Sequence, residues 1–362
     1  MVGASGYFGR MLVLDLLENS DCKIVATSRS TRTLAQLEQV YSRYRPRVTT
    51  ATLDLADAGS VSRCLPGAAM VVCAAGPFQE LPLLLAKRCM ESSIPYIDLA
   101  DDRSYVLRVR KLCGELAPTS PVCCGWSSVP SLSGVMARIA VKELSTVREI
   151  FVQIAPGNRS PRGYSTVTSL LSSVGRRFSV MEDGQWTDVT GWSRPRLFRF
   201  PLPIGTRKGY LVDVADHELF PDCFGAETVE FRVGAELELF NVGLTVLGRL
   251  VNIGLVSSWR PFASLFQRCM SAFGSIGHDW GALGVEVHGT RDSAERCIRI
   301  CLVADSQGQR IPVMPASVMC QRLLHSIGKE LSGLIPFDSW IDRNELEDEC
   351  ARRGYRLLVE AL

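Results

Sequence analysis

Short apolar runs alternate with longer amphipathic runs over the first 125 residues of the chain. The apolar runs carry few charges, as in strands that are buried on both faces of a parallel sheet. They cover residues 23–28, 48–53, 70–75, 96–99 and 122–124. The amphipathic runs predict helices over residues 7–18, 33–44, 58–65, 80–91 and 103–116. Repeated strand–helix alternation is typical of a doubly wound α/β sheet of the Rossmann type.

From residue 129 the pattern changes to longer strands and loops. The predicted elements are a helix over 130–144, strands over 148–155, 198–203, 228–232 and 296–304, a hairpin turn over 305–309 that leads into an extended arm over 310–313, and a helix over 316–329. Apolar and polar residues alternate in 296–304, which indicates a sheet with one solvated face. We expect an α/β protein with a Rossmann domain over 1–128 and a second α+β domain with a mixed sheet over 129–315. The C-terminal segment, 316–362, is expected to pack back on the first domain.

A glycine-rich turn opens the first predicted helix. Small residues there let the backbone turn tightly, and the helix offers N–H groups and a positive dipole end to a phosphate. The turn heads a βαβ unit whose second strand ends about 20 residues further on. The sequence therefore predicts a dinucleotide site formed by Gly3, Ser5, Gly6, Tyr7, Phe8 and Gly9.

The end of that second strand indicates which dinucleotide binds. Enzymes that use NAD usually place an acid there, on the ribose 2′-hydroxyl. This chain has Ser28, Arg29 and Arg32 and no acid. Because the forked donors of arginine suit a 2′-phosphate, we expect NADP in preference to NAD, with solvated turn charges as the alternative. Asp54, which ends the third strand, either contacts the adenine or caps a helix.

Several short segments in the first 130 residues contain distinctive sequence motifs. They are the opening GASGYFGR, residues 74–79 (AAGPFQ), 96–99 (YIDL) and 125–130 (GWSSVP), with a looser likeness over 308–316. Together these segments resemble saccharopine dehydrogenase-like NADP-binding proteins. The resemblance implies a Rossmann domain, a second α/β domain that often dimerises, and hydride transfer between NADPH and an imine or secondary amine.

The carboxyl ends of the strands are the expected place for the nicotinamide ring. Ligands of open α/β sheets bind outside those ends. The residues predicted to surround the ring are Ala75, Gly76, Pro77, Phe78, Gly125, Ser127 and Ser128. Phe78 is expected to pack on the ring, while a plain turn is the alternative for the Gly-Pro pair.

Catalytic residues are weakly marked. The chain has no GxSxG pattern, which disfavours a hydrolase. Candidates for a proton donor are Tyr164, His217 and Asp98, each of which also suits packing or a turn. Arg159 and Arg162 precede Tyr164 in a predicted loop and are candidates to hold a substrate carboxylate, with a solvated loop as the alternative.

Composition excludes some partners. A net charge of +2 gives no reason to expect nucleic acid. Thirteen cysteines are scattered without a CxxC pair, so we expect buried free thiols in a reducing compartment and no metal site. A reducing compartment indicates the cytoplasm, and the resemblance implies a homodimer that acts on a small molecule.

One apolar stretch, 239–256, is long enough to test for membrane contact. Its polar residues Asn241, Thr245, Arg249 and Asn252 share one face of a helix. Because a spanning helix would exclude such a charge, we expect a buried or interface helix, with peripheral membrane contact through 239–256 as the alternative. Exposure would favour two other functions, namely an enoyl reductase acting on a carrier-bound or lipid substrate or a non-enzymatic NADPH-binding membrane-associated protein.

The first Rossmann strand is short. Only Met1 and Val2 precede Gly3, where a strand usually supplies about five or six residues. We expect an upstream apolar run to belong to the working protein, with a true short strand as the alternative.

Overall fold

The computed structural model describes residues 1–325 and 331–362. The chain divides into two compact units. The first contains residues 1–128 and 312–337, and the second contains 129–311 and 338–362. The C-terminal segment 316–362 is thus shared between the units, with its last part in the second.

Parallel strands form the centre of the first unit. Numbered along the chain, they are β1 Ile24–Ser28, β2 Val48–Thr52, β3 Val71–Cys73, β4 Tyr96–Asp98, β5 Pro121–Cys123 and β14 Gly333–Leu334. The helices of this unit are α1 Tyr7–Asn19, α2 Thr31–Val40, α3 Ala58–Cys64, α4 Leu84–Glu91, α5 Arg103–Leu116 and α11 Met314–Leu324. Every residue of β3, β4 and β5 is buried, which is why these strands appear in the sequence as apolar runs.

Residues 1 and 2 join the two groups of strands in this unit. The Met1 carbonyl accepts from the Thr27 N–H at 3.0 Å, and the Val2 N–H donates to the Val72 carbonyl at 2.8 Å. Val2 lies parallel to Cys73. The resulting order is β2-β1-Val2-β3-β4-β5-β14, in which the connections run outward in both directions from Val2. This is the topology of a doubly wound sheet, and the predicted Rossmann fold is confirmed.

The second unit is built on a seven-stranded mixed sheet of order β15-β13-β12-β6-β11-β10-β9. Its strands are β6 Thr146–Pro156, β9 Arg196–Arg199, β10 Thr206–Leu211, β11 Thr228–Val233, β12 Gly281–Arg291, β13 Ala294–Ala304 and β15 Tyr355–Ala361, with a separate hairpin of β7 Arg177–Glu182 and β8 Gln185–Thr190. The helices are α6 Ser133–Val141, α7 Tyr164–Ser173, α8 Asp216–Phe224, α9 Glu238–Asn252, α10 Ala263–Ala272 and α12 Arg343–Arg352. Among the described strands of this sheet, β6 and β11 pair in parallel and the other neighbours pair antiparallel, so the predicted mixed sheet is confirmed.

The predicted hairpin turn over 305–309 and the extended arm that it leads into over 310–313 are wrong. Residues Gly308–Val313 form a 3-10 helical turn. Both edges of β13 are already paired, one with β12 and the other with β15, so no edge remains for such an arm. Pro312 also lacks the N–H that a strand would use. The helix expected over 316–329 runs from Met314 to Leu324, and residues 326–329 of that prediction lie outside the described residues.

Candidate cofactor site

The glycine-rich turn connects Val2 to α1. Its backbone conformation leaves no room for a side chain at Gly3 or at Gly9. Gly3 has a φ of +76°, which favours glycine. A Cβ added to Gly3 would lie 2.5 Å from the Ala75 nitrogen, and one added to Gly9 would overlap the Gly3 carbonyl. Ser5, Gly6, Tyr7 and Phe8 are half-buried or exposed along the same turn. Glycine at these two positions therefore lets the turn pack closely against α1 and Ala75, while residues 5–8 keep some exposure.

The first turn of α1 lacks a side-chain cap. Gly6 is its N-cap, and no side chain in the described part of the chain caps it. The first N–H groups of a helix have no partner within the helix, and they coincide with its positive dipole end. The turn and the uncapped helix together fit the pyrophosphate of a dinucleotide.

Two exposed arginines follow the end of β1. Arg29 and Arg32 form no hydrogen bond or ion pair with any residue that the structure describes. Two neighbouring serine hydroxyls already accept hydrogen bonds from backbone N–H groups. Ser30 caps α2 by accepting from the Thr33 N–H at 3.4 Å, and Ser28 accepts from the Ser30 N–H at 3.3 Å. The two guanidinium groups are thus available for an anion.

Asp54 does not cap the next helix. Its carboxylate accepts from the Ala56 N–H at 3.0 Å, inside a turn. The N-cap of α3 is Asp57, whose side chain accepts from the Gly59 N–H at 2.8 Å. The helix-cap interpretation of Asp54 is therefore wrong.

Asp98 ties together the loops that follow β4 and β5. Its Oδ1 accepts from the Gly125 N–H at 2.8 Å and from the Ala100 N–H at 3.1 Å, and its carbonyl accepts from the Trp126 N–H at 2.8 Å. Burial raises the pKa of Asp98 to about 6, although the two N–H donors act to lower it. This side chain holds the backbone at the carboxyl ends of the strands, and its burial leaves no face for a substrate.

The other residues expected around the nicotinamide have mixed environments. Phe78 is buried, and its ring lies 5.2 Å from that of Tyr105. Ala75, Gly76 and Pro77 are half-buried or exposed, whereas Ser127 and Ser128 are buried after Gly125. The Phe78 ring is thus already packed inside the first unit.

The remaining candidates lie in the second unit. His217 is fully buried, its Nε2 accepts from the Phe231 N–H at 2.9 Å, and its ring stacks on Phe178. It therefore packs the interior of the unit. Tyr164 is exposed at the start of α7. Arg159 is exposed too, whereas burial lowers the pKa of Arg162, which donates to Asn158 Oδ1 at 3.5 Å.

A histidine–carboxylate pair that the sequence analysis missed fixes the loop of these arginines. His278 Nδ1 lies 2.6 Å from Glu236 Oε1, and Glu236 Oε2 accepts from the Asn158 N–H at 2.7 Å. Burial opposes ionisation of Glu236, but these hydrogen bonds lower its pKa overall. The carboxylate orients the exposed His278 ring through Nδ1. The partners are 42 residues apart in the chain, so no local pattern indicates the pair.

The fold is similar to that of known dehydrogenases. Apo saccharopine dehydrogenase (L-Glu forming) from Saccharomyces cerevisiae superposes with a TM-score of 0.68 at 12% identity, over 99% of this chain and 98% of that chain. An engineered D-amino acid dehydrogenase bound to NADP+ gives a TM-score of 0.45 at 14% identity, over 92% of this chain and 99% of that chain. DAP dehydrogenase from C. glutamicum in complex with DAP gives 0.42 at 12% identity, with the same coverage. No family model and no curated protein matches the sequence. The yeast structure confirms the saccharopine dehydrogenase-like fold that the sequence resemblance implied.

Proposed function

We propose that this chain is an NADP-dependent oxidoreductase that transfers hydride to or from an imine, a secondary amine or a related small carbonyl compound. The observation that carries the proposal is the uncapped N-terminus of α1 behind a turn where Gly3 and Gly9 admit no Cβ. The imine substrate class follows from the sequence resemblance and from the saccharopine dehydrogenase that shares this fold.

The preference for NADP rests on the end of β1. Two exposed arginines there have no partner in the described structure, and the segment between them contains no acid that would repel a 2′-phosphate. A guanidinium can bind a phosphate through two parallel hydrogen bonds. The phosphate of NADP therefore gains a contact that NAD lacks.

Fluorescence titration with NADPH and NADH tests this preference. Arg29→Ala should weaken NADPH binding by about 1.5–3 kcal/mol, or roughly 10- to 150-fold, and leave NADH binding unchanged. Lys23→Ala removes an exposed cation just before β1 and should change neither affinity. Equal affinities for the two cofactors, or an Arg29→Ala variant that binds NADPH as tightly as the parent, would contradict the assignment.

A second candidate function is favoured by one observation. One side of α9 exposes a row of large apolar side chains. This row suits an enoyl reductase acting on a carrier-bound or lipid substrate, or an NADPH-binding protein that associates with membranes without catalysis. NADPH oxidation should be measured with a cyclic imine and with an enoyl thioester. Turnover of the imine supports the first proposal, turnover of the thioester alone selects the reductase of lipid substrates, and tight NADPH binding without either turnover selects the non-enzymatic protein. The homodimer stays a prediction that analytical ultracentrifugation can check.

A further inference from the structure

Helix α9 has an exposed apolar side in addition to the side that packs on the unit through Leu244. Four large apolar side chains on it or at its C-cap are 50–68% exposed: Leu239, Val242, Val246 and Ile253. At 3.6 residues per turn these positions share one side of the helix. The buried positions on the opposite side are Asn241, Leu244 and Gly248. Within this chain the helix is therefore not fully buried, and the interface part of the expectation stays a prediction.

Hydrogen bonds to Asn241 fix this orientation. Its side chain accepts from the Ala235 N–H at 2.9 Å and donates to the Ala235 carbonyl at 3.1 Å and to Glu238 at 2.9 Å. Its carbonyl accepts from Trp192 Nε1 at 3.1 Å. Rotation of α9 to bury the apolar side would break these contacts, so the sequence of the helix specifies the exposed orientation.

Exposed apolar side chains also occur in the segment that follows α9. Contacts hold α9 beside α10, since the Phe240 and Phe273 rings lie 5.6 Å apart and Trp259 Nε1 donates to the Leu247 carbonyl at 2.9 Å. Exposed side chains from both helices and the connection between them make up what we name the α9–α10 face: Leu239, Val242, Val246, Ile253, Leu255, Phe262, Leu265 and Ile276. Clusters of exposed apolar residues of this kind mark interaction sites.

The charge of this segment is of one sign. Residues 239–277 contain Arg249, Arg260 and Arg268 and no Asp, Glu or Lys. Arg249 and Arg268 are exposed, and neither pairs with an acid in the described residues. On the helix, Arg249 lies at the flank of the apolar side, where its stem can follow that side while the guanidinium stays in water.

The exposed apolar side chains and the arginines distinguish between two partners that could cover this face, a second copy of the chain and a lipid surface. A second copy meeting the α9–α10 face across a two-fold axis would bring the arginines of both copies together, and Glu238 at the start of α9 is already paired with Lys208 at 2.6 Å. An anionic lipid surface supplies an apolar layer for the side chains and counter-charges for the arginines. None of the described helices is long and apolar enough to cross a membrane, so contact would be with one surface.

We propose that the α9–α10 face docks peripherally on lipid bilayers that carry anionic headgroups. The 15-residue α9, about 22 Å long at 1.5 Å per residue, lies along the membrane surface with its apolar side among the upper acyl chains. Arg249 and Arg268 contact the headgroup phosphates. This inference does not depend on the proposed enzymatic function.

Vesicle flotation of the full chain tests the inference. The protein should float with phosphatidylcholine vesicles that contain phosphatidylglycerol, and less so at high salt or with phosphatidylcholine alone. Arg249→Gln and Arg268→Gln should each lower the partition coefficient about fivefold, the effect of one basic residue at an anionic surface. Val246→Asp and Ile253→Asp should each lower it more than tenfold. Leu202→Asp and Lys142→Gln alter exposed residues outside the α9–α10 face and should have no effect.

Several results would overturn the inference. They are failure to float with anionic vesicles, flotation that persists in all four variants, and a dimer in sedimentation that Val246→Asp dissociates while vesicles bind nothing. The altered side chains are exposed, so circular dichroism melts should match the parent. If an aspartate variant does unfold, the two arginine variants decide the outcome. NADPH titration of the same variants should be unchanged, which separates this inference from the proposed function.

Discussion

Replacement of Gly9 by alanine is a direct test of the cofactor site. A Cβ at this position would overlap the Gly3 carbonyl oxygen and would lie 2.8 Å from the Gly3 carbonyl carbon and 3.0 Å from the Ala4 Cα. All of these neighbours belong to the backbone, so no side chain can rotate to make room. The turn that precedes α1 must therefore move away from the helix.

The size of the effect follows from two opposing contributions. Alanine in place of glycine within a helix gains about 1 kcal/mol where space is free. Overpacking against fixed neighbours costs about 1–3 kcal/mol, so the free energy of unfolding should fall or stay level. Loss of one hydrogen bond to a charged phosphate costs about 1.5–3 kcal/mol, so the Kd for NADPH should rise at least tenfold.

Gly114→Ala provides the matched control. Gly114 is exposed near the end of α5, and a Cβ there would meet nothing within 4 Å. This variant should gain about 0.4–1 kcal/mol of stability and bind NADPH like the parent. Urea denaturation and fluorescence titration of both variants are the measurements. The reasoning is refuted if Gly9→Ala binds NADPH as tightly as the parent or is stabilised to the same extent as Gly114→Ala.

Further predictions concern stability. Burial raises the pKa of Asp216 to about 7, although Ser133 donates a hydrogen bond to it at 2.7 Å. The folded protein therefore holds this proton more tightly than the unfolded chain does. The contribution of Asp216 to the free energy of unfolding is fully present below about pH 4, and it falls by about 4 kcal/mol as the pH rises through 7. Urea melts across this range should lose that slope in Asp216→Asn and keep it in Asp222→Asn, an exposed change on the same helix. Asp342→Ala should cost about 1 kcal/mol in the same melts, because it removes the capping box of α12 with Glu345, and an unchanged midpoint would show that the box contributes nothing.

The first unit could be predicted closely because its signals are local. The helix expected over 103–116 has those bounds in the structure. Asp102 caps its start by accepting from the Tyr105 N–H at 2.8 Å, and Ala117 ends it in the left-handed conformation. Apolar runs separate such helices because both faces of a parallel sheet are covered.

The contacts of the second unit depend on residues that are distant in the chain. The sequence offers His217 as a proton donor, but it cannot show that the Phe231 N–H, 14 residues away, occupies the ring nitrogen. The same limit applies to Glu236 and His278, which become neighbours only when α9 and α10 fold between them. A candidate list drawn from residue types alone therefore favoured a buried histidine and missed an exposed one.

Periodicity identified the two sides of α9, but it could not show which side is covered. The choice depends on Asn241, whose side-chain hydrogen bonds to Ala235 hold its side of the helix inward, together with Leu244 and Gly248. That preference has a cost, because each Å² of apolar surface left in water forfeits about 25 cal/mol of burial energy. Four large apolar side chains on the exposed side of α9 forfeit this burial energy. A helix that faced only water would carry polar residues there instead. An outward apolar side, fixed by the buried contacts of Asn241 and flanked by Arg249, which has no partner among the described residues, is therefore better explained by an apolar environment that this surface enters than by the packing of the unit itself.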